Sequence, residues 1–128
     1  MKRVIRSIGA LIVVAAASLS SPDVCKAVTV YCDGAQCVWD SGAGKWKLEW
    51  WGHVVGFGTP TAQYAEGSPS GRTGSWVDVP TQVTWTAGGC SWWANVYPDT
   101  SSTDGWWCRA RVGTLYYSNE LYRDNPAR

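Results

Sequence analysis

The sequence predicts an all-β fold, a small disulfide-stapled antiparallel β-sandwich or barrel preceded by an N-terminal signal helix. Three observations carry this expectation. Apolar residues after residue 27 recur with the two-residue period of strands, while no stretch there sustains a helical period. Glycine and proline, 14 and 6 in the chain, interrupt almost every candidate element. Four cysteines remain beyond residue 27, an even number suited to two bridges in a small secreted domain.

The first segment has the layout of a secretory signal. Lys2, Arg3 and Arg6 make a basic head, Ile8–Leu19 is apolar or small throughout, and a polar stretch leads to Cys25-Lys26-Ala27. An apolar run of 12 residues is too short to cross a bilayer, which takes about twenty. Cleavage after Ala27 removes Cys25 and leaves Cys32, Cys37, Cys90 and Cys108. The chain is thus expected to divide into a signal peptide, 1–27, and one Trp-rich β-domain, 28–128, that is secreted and extracellular. Over 28–128, seven basic and nine acidic side chains leave a net charge of −2. Nothing there resembles the basic stripe that nucleic acid or an anionic membrane requires.

Along the domain, Val28, Val30 and Cys32 alternate with Thr29 and Tyr31. Asp33-Gly34-Ala35-Gln36 reads as a hairpin turn, with Cys37-Val38-Trp39 returning. Trp46, Leu48 and Trp50 alternate with Lys45, Lys47 and Glu49 in a half-buried strand, and Val83 and Trp85 alternate with Gln82, Thr84 and Thr86. Residues 58–75, rich in Gly, Ser and Thr, read as a long loop, and Pro98–Asp104 as a second. Ser91–Tyr97 and Gly105–Val112 then form an expected hairpin. Trp92, Ala94 and Val96 face inward on its first strand, and Trp106, Cys108, Ala110 and Val112 on its second. The Cys32–Cys37 and Cys90–Cys108 pairings are slightly favoured over the crossed ones.

All ten tryptophans fall between Trp39 and Trp107. Each indole brings roughly 150–250 Å² needing cover, more than so small a core hides easily, so some rings are expected at the surface. The outer face of the expected hairpin combines Trp93, Asn95 and Tyr97 with Trp107, Arg109 and Arg111. Flat rings beside amide and guanidinium donors suit the apolar face and hydroxyls of a sugar, and also a protein hot spot. These six are the candidate ligand-binding residues of a monomeric module for a glycan, a cell-wall polymer or an extracellular protein. A secreted enzyme inhibitor or an antibacterial toxin is the alternative class.

Catalysis finds little support. His53 is the sole histidine, no serine sits in a nucleophile elbow, and Glu49 and Asp78 are the best strand-borne acids with nothing to pair them. Cys-to-Cys gaps of four and seventeen residues are not zinc-knuckle spacings. Neither a metal nor a cofactor is expected. A small secreted hydrolase is the third class.

Overall fold

The computed structural model describes residues 27–128. The signal segment read over 1–27 lies, apart from Ala27, outside the described residues. Ten strands follow one another: β1 (Thr29–Asp40), β2 (Lys45–Val55), β3 (Pro60–Ser68), β4 (Gly71–Arg72), β5 (Val77–Val79), β6 (Gln82–Thr86), β7 (Gly89–Val96), β8 (Gly105–Val112), β9 (Tyr116–Tyr117) and β10 (Leu121–Asp124). They make two curled antiparallel sheets. One has the order β1-β2-β7-β6; the other runs β10-β8-β3-β4, with β5 on β3 and β9 on β8. The described residues are all-β, as their periodicity predicts.

Alternation places the core. Leu48, Trp50, Trp92, Trp106 and Cys108 are the largest fully buried side chains, and each occupies an inward position of its strand. Trp50 ties the layers together, its indole N–H donating to the Arg109 carbonyl at 3.0 Å. Small residues make room for the large ones. A side chain on Gly52 would run into the Tyr31 carbonyl and the Trp92 ring, so Trp92 lies across the Gly52 backbone. Ala62, Ala65 and Ala110 are likewise fully packed.

The open edges are joined by side chains. Asn119 brackets Cys32, accepting from its N–H at 3.0 Å and donating to its carbonyl at 2.9 Å, and Arg123 Nε donates to the Ala35 carbonyl at 2.6 Å. At the other seam Thr81 Oγ1 accepts from the Ala62 N–H and donates to the Val79 carbonyl, each at 2.8 Å. These bonds occupy backbone groups that would otherwise invite pairing by another chain.

Three local expectations are corrected. Asp33–Gln36 is no turn: β1 runs straight through it, with a bulge between Cys32 and Gly34, and the reversal comes at Ser41–Gly44. There Gly44 adopts a φ of 67°, and its N–H reaches the Asp40 carbonyl at 2.7 Å. Residues 58–75 are not a loop but β3 and the short β3–β4 hairpin; small side chains packed beneath tryptophans gave that strand the composition of a loop. Finally, β7 and β8 are not a hairpin. Residues 97–104 cross from one sheet to the other, so β7 pairs with β2 and β6, and β8 with β3 and β10.

The cysteines follow from this topology. Among the described residues no disulfide is formed, and Cys32, Cys37, Cys90 and Cys108 are free thiols. Cys32 and Cys37 share one extended strand, where five residues span roughly 16 Å, far beyond the ~7 Å a bridge tolerates. Cys90 and Cys108 belong to different sheets, with Cys90 opposite Val54 and Cys108 opposite Tyr64 and Leu121.

Candidate functional site

The six candidate ligand-binding residues all point away from the core, as alternation predicts, but the structure divides them between opposite sides of the sandwich. Trp93, Asn95 and Tyr97 belong to the outer side of the β1-β2-β7-β6 sheet, Tyr97 just past the end of β7. Trp107, Arg109 and Arg111 belong to the outer side of the other sheet.

The second group is engaged within the protein. Arg109 lies between two rings, its guanidinium carbon 4.0 Å from the Trp76 ring centre and 4.3 Å from that of Tyr117. Its Nε donates to Gln63 at 2.8 Å, and Glu120 sits 3.7 Å from its Nη1. Arg111 pairs with Asp78 at 2.9 Å, and Gln63 donates to the same carboxylate at 2.7 Å. Those two donors hold the Asp78 carboxyl below the usual range, Gln63 contributing most. Trp107 donates to the Ser68 carbonyl at 2.9 Å and packs on Tyr122 at 5.3 Å. Arg109, Arg111 and Trp107 are thus bonded to neighbours within the protein.

The first face differs. β-Pairing aligns Gly34, Trp51, Trp93 and Gln82 in one row across four strands. The next row holds Gln36, Glu49 and Asn95. On the other side of the tryptophan row stand Tyr31, His53, Ser91 and Thr84. Trp51 and Trp93 are 39% and 50% exposed. Gly34, at the β1 bulge, has no side chain to obstruct Trp51; any side chain there would occupy the indole's place, so the ring lies against the Gly34 backbone. The sequence gives no sign of this platform, because Gly34 reads as a turn glycine.

Polar groups surround the rings. Gln36 Nε2 donates to Glu49 at 2.9 Å, and Lys47 reaches the same carboxylate at 3.2 Å. The Tyr97 hydroxyl donates to Asp40, which holds the Asp40 carboxyl below its ordinary range and pushes the Tyr97 phenol up. His53 Nδ1 lies 2.7 Å from Asp33 Oδ2, and its ring stacks on Tyr31 at 4.4 Å and 11°. Ser91 stands opposite His53 on β7. Among the described residues no hydrogen bond joins the Ser91 hydroxyl to the imidazole, which leans toward β1, so the relation of nucleophile to base is not made. Nor do three His, Cys, Asp or Glu side chains come together among the described residues as a metal site would need.

No family model, no curated protein and no solved structure matches this chain.

Proposed function

We propose that this chain is a secreted, extracellular binding module rather than an enzyme, and that it takes a glycan or cell-wall polymer on the outer face of the β1-β2-β7-β6 sheet. One observation carries the reading: the Trp51 indole set against the bare Gly34 backbone, with Trp93 beside it in the same row and both partly open to solvent. A pyranose presents an apolar C–H face to such a ring, while its hydroxyls find Gln36, Asn95 and Gln82 as donors and Glu49 as acceptor. Strand pairing fixes these groups before the ligand arrives, which limits the ordering cost of binding. A protein partner would use the same rings as hot spots, and the charges that surround them are of both signs.

The test is a binding screen with the purified domain. Pull-down on cellulose, chitin, xylan and peptidoglycan is combined with tryptophan fluorescence against their soluble oligomers. Retention on one polysaccharide, with loss on Trp51→Ala or Trp93→Ala, is the expected result. Absence of any glycan binding, or binding insensitive to both substitutions, rejects the proposal.

A further inference from the structure

At one end of the same sheet a cleft of about 430 Å³ opens between the β1–β2 turn and the segment that follows β7. Trp39, Trp46, Tyr97 and Pro98 form its walls, and Lys45 and Asp99 its polar rim. That volume falls within the roughly 300–1,000 Å³ usual for small-ligand sites. Trp39 and Trp46 meet edge to face at 5.4 Å on the inner side of the sheet, in line with Cys37, Leu48 and Trp50, so the cleft lies around the sheet's end. Tyr97 is held by its hydroxyl bond to Asp40, and Lys45 lies over its ring at 5.7 Å. Asp99 is held by the Ser101 N–H at 2.9 Å and the Ser101 hydroxyl at 2.7 Å, which keep its carboxylate ionised and aimed.

From this geometry we infer that the cleft is a second sugar-binding subsite, which lengthens the site of the sheet face and selects for chain length. The inference rests on the glycan reading above. One ammonium and one carboxylate at the rim favour neither a polyanion nor a polycation, and fixed rings with one donor and one acceptor match a neutral, hydroxylated ring. Tyr97 connects the two regions over the end of the sheet, because it lines the cleft beside the inward Trp39 and Trp46 and alternates with Trp93 and Asn95 on the outer side. Four residues along an extended strand put the cleft roughly 13 Å from Trp93. An oligosaccharide that spans this distance engages both places at once, its second contact being intramolecular.

The experiment compares disaccharide with hexasaccharide by titration calorimetry, using cellobiose with cellohexaose and chitobiose with chitohexaose. In the series that binds, the hexasaccharide is expected to bind at least tenfold more tightly than the disaccharide. Trp39→Ala should remove that gain and leave disaccharide affinity unchanged. Asp99→Ala, on an exposed segment, should reduce the gain without risk to folding. Trp85→Ala, at an exposed ring outside both regions, should change nothing. Equal affinity for short and long sugars, or a gain that survives Trp39→Ala and Asp99→Ala, overturns the second subsite and leaves the sheet-face reading standing. Equal weakening of both lengths by Trp39→Ala confines the sugar to the cleft and overturns the two-part site. Failure of the native protein to bind any of the four sugars overturns the inference together with the reading beneath it.

Discussion

The indole of Trp51 occupies the space a side chain at Gly34 would need: a methyl group added there would collide with the six-membered ring of the indole. Gly34 pairs with Trp51 across β1 and β2 directly beside the β1 bulge. A β-bulge bends and twists its strand, and here it also supplies the bare backbone on which a ring can lie. A backbone position commonly taken for turn punctuation thus governs the placement of one of the two rings in the row proposed for binding.

Gly34→Ala is therefore expected to lift the Trp51 ring off the sheet. Because the ring's outer side is open, it can swing away, so the stability cost should stay near 1 kcal/mol, the centre of ordinary point-mutation effects. Tryptophan emission should shift to the red, and glycan affinity should fall about as far as it does in Trp51→Ala. Native-like emission and affinity in Gly34→Ala would show that the ring's position does not depend on the glycine.

Three tryptophans of β7 and β8 should separate by burial. Trp106 is fully buried, and its removal should cost roughly 3–5 kcal/mol, as for other large core rings. Trp93 is half exposed and should cost no more than about 0.5 kcal/mol. Trp107 falls between them: its N–H bond to Ser68 is worth about 0.5–1.5 kcal/mol and its packing on Tyr122 a similar amount. Trp107→Ala should thus lose about 1–3 kcal/mol while leaving glycan binding intact. Urea denaturation of the three variants tests the order, and a Trp107→Ala protein as stable as the native one contradicts it.

The same residues mark how far the sequence could be read. Inside and outside were legible on β7 and β8, since a two-residue period decides which side chains a strand buries whatever its partner. Which sheet β8 joins was not legible. Nearness in sequence suggested pairing with β7, but the true neighbour, β3, is built of Pro60, Ala62, Ala65 and Gly67 and looks like a connecting segment. At Gly67 the want of a side chain makes room for the Trp107 ring, a relation that exists only in three dimensions. The six candidate residues divide accordingly. Trp93, Asn95 and Tyr97 stand on the open face, while Trp51 was passed over and Trp107, Arg109 and Arg111 belong to a self-contained cluster.

Acid should weaken that cluster. Gln63 and Arg111 hold the Asp78 carboxyl below its ordinary value, so the native state favours the carboxylate more than the unfolded chain does. A depressed folded-state pKa contributes stability that is present above the unfolded value of about 3.9 and is lost as pH falls through the folded one. Melting temperatures measured from pH 5 to pH 2 should drop below about pH 4. Asp78→Asn should start lower at neutral pH and fall less steeply. An unchanged acid profile in that variant would remove Asp78 from the account.

Redox chemistry provides the last test. Burial pushes the Cys32 thiol up to about 12 and the Cys37 thiol up to about 11, and it raises Cys108 further. Cys108 has both of the other thiols as electrostatic neighbours. The Asn119 bonds to Cys32 and the approach of the Cys37 thiol to the Asp124 carbonyl at 3.7 Å place β1 along β10, the strand next to β8. Cys90, by contrast, has no other cysteine among the influences on its thiol, and it lies two strands across and two residues along from Cys32, about 12 Å away. In an oxidising compartment the fold therefore favours a single bridge from Cys108 to β1, through Cys32 or Cys37, with Cys90 left as a buried thiol. Closing so long a loop would add about 4 kcal/mol by the chain-entropy estimate. Peptide mapping of protein produced in an oxidising compartment, without reductant, should recover Cys108 joined to a β1 peptide, and Cys90 should react with iodoacetamide only after unfolding. Recovery of a Cys32–Cys37 loop, or of Cys90 joined to Cys108, would contradict the path of β1 and the separation of β7 from β8.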